Sequence, residues 1–159
     1  MRPPPLSGPD VRYPPPLAFV VGIGAGWLLY LAFPLPLIGP TAHPAAELVG
    51  WLLVALGSGL SLWGLVTFRG AGTTIFPSQP ASALVTHGPF RLSRNPMYVG
   101  LSFVYLGVML LVNSAWTGLF FPVVIAVLYL TVVRPEERYL AATFGVAYDE
   151  YRRRVRRWL

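Results

Sequence analysis

Apolar positions along this chain gather in long charge-free runs, separated by short polar stretches rich in proline and glycine. From Tyr13 to Ala46 no residue is charged; Leu17–Phe33 is the apolar part, and Pro34 and Pro36 end it. A second run, Leu48–Phe68, places 21 residues between Glu47 and Arg69, enough to cross a hydrocarbon layer of about 30 Å. The third, Asn95–Val133, is 39 residues long and exceeds one crossing. Asn113-Ser114 near its middle has turn chemistry, so the run reads as a tight hairpin of helices over 96–112 and 115–133, with Pro122 kinking the second. The predicted fold class is therefore all-α, a polytopic helical membrane protein with four transmembrane helices at 17–33, 48–68, 96–112 and 115–133.

The remaining stretches are an arm at 1–16 with seven prolines, a polar loop at 69–95 and a charged tail at 134–159. The arm reads as extended or disordered, and residues 17–159 as one membrane-embedded domain. A cleavable signal peptide is the alternative for the first run, disfavoured because the run is long and others follow. In the tail, Phe144, Tyr148, Tyr151, Val155 and Trp158 recur every three or four residues, the period of one helical face. With Arg152, Arg153, Arg156 and Arg157 elsewhere, this predicts a C-terminal amphipathic interfacial helix on an anionic leaflet. An even count of crossings places all twelve cationic residues on one side, and three or five crossings would scatter them. The positive-inside rule makes that side cytoplasmic, termini included, as in the inner membrane of a bacterium or archaeon.

Composition agrees and narrows the chemistry. Hydrophobic residues make up 55%, charged residues 11%, and the mean hydropathy is +0.59. A net charge of +6 on so apolar a chain fits a membrane surface and not a nucleic acid. No cysteine is present, so disulfides, thiol nucleophiles and thiolate metal sites are excluded. No lysine is present either, which removes Schiff-base chemistry and P-loop phosphate binding. The two histidines, His43 and His87, have no metal-ligand spacing, and no metal is expected.

Two polar clusters flank the predicted hairpin: Leu84–Gly100, containing Arg91, Arg94, Asn95 and Tyr98, and Arg134-Pro135-Glu136-Glu137-Arg138. A tight turn at Asn113-Ser114 brings them together at one membrane face. Each feature has a structural reading: arginines as headgroup contacts, the glutamates as salt-bridge partners, Asn95-Pro96 as a helix N-cap with proline in the first turn.

The stretch Arg94-Asn95-Pro96-Met97-Tyr98-Val99-Gly100, the pair Glu136-Glu137, the approach Leu84–Phe90 and the ending Phe144-Gly145-x-x-Tyr148-x-x-Tyr151 with Val155 and Arg157-Trp158 stand in that order. In this the sequence resembles the integral-membrane methyltransferases of the isoprenylcysteine carboxyl methyltransferase and phospholipid methyltransferase superfamily. The resemblance implies S-adenosylmethionine as methyl donor, with cofactor contacts at Leu84, Val85, Phe90, Arg94, Asn95, Pro96, Met97, Tyr98, Glu136 and Glu137. Arg134 is the candidate to orient an anionic acceptor. The family's histidine is Asn95 here; asparagine hydrogen-bonds but does not titrate, which argues against a general base at that position.

Methyl transfer suits so poor an inventory of acids and bases, because the donor's sulfonium is already activated and the protein chiefly aligns and excludes water. A carboxylate acceptor needs no base; for an amine, Glu137 is the candidate to take the proton. No other catalytic residue is assigned. The acceptor is expected to be a lipophilic molecule entering laterally, whether prenylated carboxylate, aminophospholipid or other isoprenoid. Membrane lipids are the other partners, with no nucleic acid. The competing readings are a membrane reductase of the sterol-reductase type using NADPH, and a non-catalytic lipid-binding membrane protein.

Overall fold

The computed structural model describes residues 8–11, 13–40, 42–72 and 80–159. Six α-helical segments are present among them: α1 (Pro16–Ala32), α2 (His43–Gly70), α3 (Pro96–Leu111), α4 (Ala115–Leu128), α5 (Arg134–Phe144) and α6 (Val146–Arg154). A 3-10 turn, Gly88–Arg91, precedes α3, and a π turn, Tyr129–Val133, joins α4 to α5 without a break. The described chain is all-α, five rods in all. Ala115–Phe144 and His43–Gly70 are long and apolar enough to cross a membrane, while Pro16–Ala32 and Pro96–Leu111 are apolar but shorter. Their outward positions carry Val20, Leu28, Trp51, Leu56, Val66, Leu119 and Leu130, all exposed. So much contiguous apolar surface suggests an integral membrane protein.

Local chemistry sets the helix ends. Proline occupies the first turn of α1, α2 and α3, where its missing N–H costs no hydrogen bond. Ser114 caps α4, its hydroxyl accepting from Thr117 N at 3.3 Å. Asn95 occupies the cap position of α3, yet its side chain makes no capping bond, contrary to the N-cap expectation. Pro135 cannot donate to the preceding turn, and the helix meets that lack with the wider turn immediately before it. α2 starts five residues before the expected Leu48. Glu47 ends the charge-free run but not the helix, and it pairs with His43 at 3.2 Å across one turn.

α2 lies mainly against α3, and α1 against α4. In the first pair Gly50, Gly57 and Gly64, seven residues apart, face Gly107, Gly100 and Met97. A Cβ at Gly57 would stand 2.4 Å from the carbonyl oxygen of Gly100, so the backbones approach as closely as glycine permits. α1 wedges against both strands of the α3–α4 hairpin. Phe19 meets the ring of Tyr105 edge-on at 6.3 Å, and Tyr105 donates to Thr117 O at 2.8 Å. At the hairpin tip Asn113, at φ +48°, clasps the segment after α1: its Oδ1 accepts from Leu37 N and Ile38 N, and its Nδ2 donates to Ile38 O.

Two expectations are corrected. The tail is not one helix lying flat with aromatic anchors in lipid. Gly145, at φ +51° where side chains are disfavoured, breaks it into α5 and α6. The aromatic face turns inward, burying Tyr148 and Tyr151 against Val85 and Phe90. Nor is the arm wholly free: Val11 is buried in the core with Phe19, Tyr98, Val132 and Val133, and Tyr13 packs against that cluster. Residues 1–7 and 12 of the predicted arm, and 73–79 of the predicted loop, lie outside the described residues.

Candidate active site at the basic end

The loop before α3 is held by packing. Phe68 and Phe90 meet edge-on at 4.7 Å, Val85 and Phe90 are buried, and Leu84 packs beside them against Tyr148 and Tyr151. Tyr151 locks this contact, donating to Phe90 O at 2.7 Å. Past α6 the chain returns in an extended path to the start of α3, where Arg94 N donates to Arg156 O at 2.9 Å. Ser93 Oγ and Asn95 Nδ2 both donate to Arg157 O, at 3.0 and 3.1 Å. Asn95 thus serves to dock the C-terminal segment.

The two predicted clusters do converge, on two adjacent faces of α5. Tyr98, in the first turn of α3, donates to Glu136 Oε1 at 2.8 Å. Glu137, one residue on and about 100° round the helix, faces the tail. Its carboxylate takes a forked pair of bonds from Arg157, Nε at 3.0 Å and Nη2 at 2.9 Å, and an ion pair from Arg94 Nη1 at 3.1 Å. Arg94 Nη1 also donates to Tyr148 Oη at 3.2 Å. Arg157 in turn lies 5.1 Å above the ring of Tyr129. Such forked, charge-assisted contacts fix orientation as well as charge.

The electrostatics differ on the two sides. Past the end of the apolar run, burial pushes the Glu136 carboxyl up to about 7; the Tyr98 hydrogen bond opposes this and the charge of Glu137 adds to it. At the cavity, the hydrogen bonds that Arg157 donates to Glu137 hold its guanidinium above its ordinary value. Burial raises the Tyr148 phenol, which stays neutral beside Arg94.

A cavity of ≈ 290 Å³ opens beside Glu137, lined by Arg94, Arg134, Arg138, Arg152, Arg157, Tyr129, Tyr148 and Ala141. Five guanidinium groups around one carboxylate make it strongly electropositive. The Arg94 Nε is buried there with no acceptor among the described residues. A buried N–H without a partner is costly.

Of the residues expected from the sequence, Arg94, Arg134 and Glu137 line this cavity, and Tyr98 and Glu136 pair across α3 and α5. Leu84, Val85 and Phe90 support the tail, Pro96 is fully buried, and Met97 packs beneath Gly64 of α2. Sequence reasoning assigned no role in the site to Tyr129, Tyr148, Arg152 or Arg157, and placed Arg138 only within the converging cluster. Tyr148 and Arg157 stood in the recognised C-terminal motif, and that was the available signal.

Residues 45–147 match the family described as phospholipid methyltransferase. Protein-S-isoprenylcysteine O-methyltransferase of Schizosaccharomyces pombe is 35% identical over 72 residues, 45% of this chain and 30% of that protein. Cobalt-zinc-cadmium resistance protein CzcN of Cupriavidus metallidurans is 30% identical over 117 residues, 74% of this chain and 50% of that protein. The chain thus spans half or less of the length of these relatives, and no solved structure matches it. The family match covers both converging clusters and the helices that carry them, and the chain belongs to the phospholipid methyltransferase family.

Proposed function

We propose that the chain is an S-adenosylmethionine-dependent membrane methyltransferase that modifies a lipophilic acceptor at the cytoplasmic face. In this reading α1, α2, α3 and α4 with the π turn each cross the bilayer, and the twelve arginines sit on the cytoplasmic side. The observation that carries the proposal is the cavity at Glu137, with the unpartnered Arg94 Nε beside it. Its lining suits the donor in two respects. Arg94 offers a buried donor to a carboxylate, and Glu137 offers a carboxylate to an ammonium. At ≈ 290 Å³ the cavity is at the small end of ligand pockets, roughly 300–1,000 Å³, so part of the donor lies in its open mouth.

When bound, S-adenosylmethionine supplies a methyl group on an activated sulfonium. The chain's own residues hold and orient. Arg94 and Arg157 fix Glu137, and Tyr98 fixes Glu136, so neither carboxylate needs to reorganise. Glu136, with its raised pKa, is suited to accept a proton near neutral pH where the acceptor is an amine. Arg134 and Arg138 leave a positive rim for an anionic headgroup. The names of the family and of one relative point to phospholipid and isoprenylcysteine acceptors, both lipophilic.

Calorimetric titration of the purified protein with S-adenosylmethionine, and separately with NADPH, tests this. Saturable binding of the methionine derivative is expected. Arg94→Gln should weaken it by about tenfold or more, the loss of a charge-assisted contact worth roughly 1.5–3 kcal/mol. Folded protein that ignores the donor, or that binds NADPH instead, overturns the proposal.

A further inference from the structure

The Tyr98–Glu136 pair lies outside the lining of the arginine cavity, about 100° round α5 from Glu137, and two residues that precede α1 pack beside Tyr98. α1 begins only at Pro16. Next to the Tyr98–Glu136 pair, between the start of α3 and the π turn, apolar packing comes from Val11 and Tyr13. Val11 is 7% exposed and lies in one buried cluster with Tyr98, Val132 and Val133. Tyr13 packs on the rim of that cluster, and its hydroxyl hydrogen-bonds Thr131 on the outer surface of the π turn. Thr131 Oγ1 itself donates to Val127 O at 2.6 Å, so in the pair Tyr13 is the donor. The Tyr13–Thr131 bond is therefore exposed, and toward the cluster Val11 and Tyr13 make apolar contact.

We propose that Val11 and Tyr13 form the lipid-side wall of the acceptor site, which an acceptor's hydrocarbon chain displaces to reach the Tyr98–Glu136 pair. The inference rests on the methyltransferase reading above. The chemistry favours a lipid as the displacing group. The wall is apolar toward the cluster, it is pinned outside by one hydroxyl bond of modest net strength, and it borders the apolar face of α4. A hydrocarbon chain replacing Val11 and the Tyr13 ring keeps that cluster dry, where water would not. Val11 and Tyr13 then set how bulky a chain the site admits.

The test uses the full-length protein in vesicles containing a phosphatidylethanolamine with a photoreactive diazirine on its acyl chain. Peptides bearing the adduct are located by mass spectrometry, and donor affinity is measured in parallel by calorimetry. Tyr13→Phe should raise labelling of the 96–100 and 129–134 segments by about threefold, the ratio produced by losing one exposed hydrogen bond. The double variant Val11→Ala with Tyr13→Ala should raise it further, with donor affinity little changed. Labelling that stays at the native level in Tyr13→Phe and in the folded double variant overturns the proposal; should the double variant not fold, Tyr13→Phe alone decides. Absence of donor binding in the native protein counts against the methyltransferase reading instead, and the labelling still decides whether lipid reaches this wall.

Discussion

Glu136 shows most clearly what one residue's surroundings do to its chemistry. Its carboxyl is raised to about 7, chiefly by burial, so the folded state disfavours its charge. The sign follows directly: its contribution is fully present below the ordinary carboxylate pKa, near 4.5, and is lost as pH rises through about 7. Glu136→Gln keeps an acceptor for the Tyr98 hydroxyl and removes the charge. The variant should match the native protein in thermal stability at pH 4.5 and exceed it at pH 8.5, read from melting in detergent; equal melting at both pH values would count against a buried, raised carboxyl. That this glutamate meets the start of α3 was legible, because the Glu-Glu pair follows the hairpin. That Glu136 and Glu137 take different partners was not, since it depends on the turn that sets the phase of α5. Asn95 was similarly opaque: its partner, the Arg157 carbonyl, is 62 residues away, and no local pattern reveals it.

Among the elements, the α2–α3 pair shows how small residues set a helix interface in an apolar protein. Gly57 and Gly59 are indistinguishable in propensity, yet only one faces the partner. A Cβ at Gly57 would meet the Gly100 carbonyl at 2.4 Å, whereas at Gly59 nothing lies within 4 Å. Gly57→Ala should therefore destabilise by about 1–3 kcal/mol through forced separation of the backbones. Gly59→Ala should be neutral or stabilising by up to ~1 kcal/mol. Thermal or denaturant melting of both variants checks the contrast, and equal effects would rule out close approach at Gly57. The four apolar helices were readable because each lies in a long charge-free run. Their exact ends were harder, since α2 runs through Glu47 where a charge-based boundary stops. The break at Gly145 and the inward turn of the aromatic face were not readable, because a period of three to four residues says only that a face exists and not what covers it.

Over the whole molecule, distant segments are registered by contacts at both ends of the α3–α4 hairpin. At the basic end these are Tyr98–Glu136 and Arg94–Glu137; at the tip, Asn113 clasps Leu37 and Ile38, while Ala115 N donates to Leu35 O at 3.0 Å and Ser114 pairs with Pro36. The tip contacts tie α4 to the segment after α1, and α1 wedges the hairpin through Phe19 and Tyr105. The spacing between the two glutamates and the Arg94–Tyr98 stretch is thus set at the far end of the bundle from where it is used. Inserting Gly-Ser-Gly between Asn113 and Ser114 tests this. The apolar runs are unchanged, so the protein should still insert and remain helical by circular dichroism. Asn113 keeps its clasp, but α4 no longer holds its phase against α3, and the carboxylates leave their partners. Donor affinity should then fall by about tenfold, ~1.4 kcal/mol, in calorimetry. Affinity unchanged in the helical, inserted variant would mean that the tail alone, through Arg157 and Tyr148, assembles the site, and the hairpin only carries it.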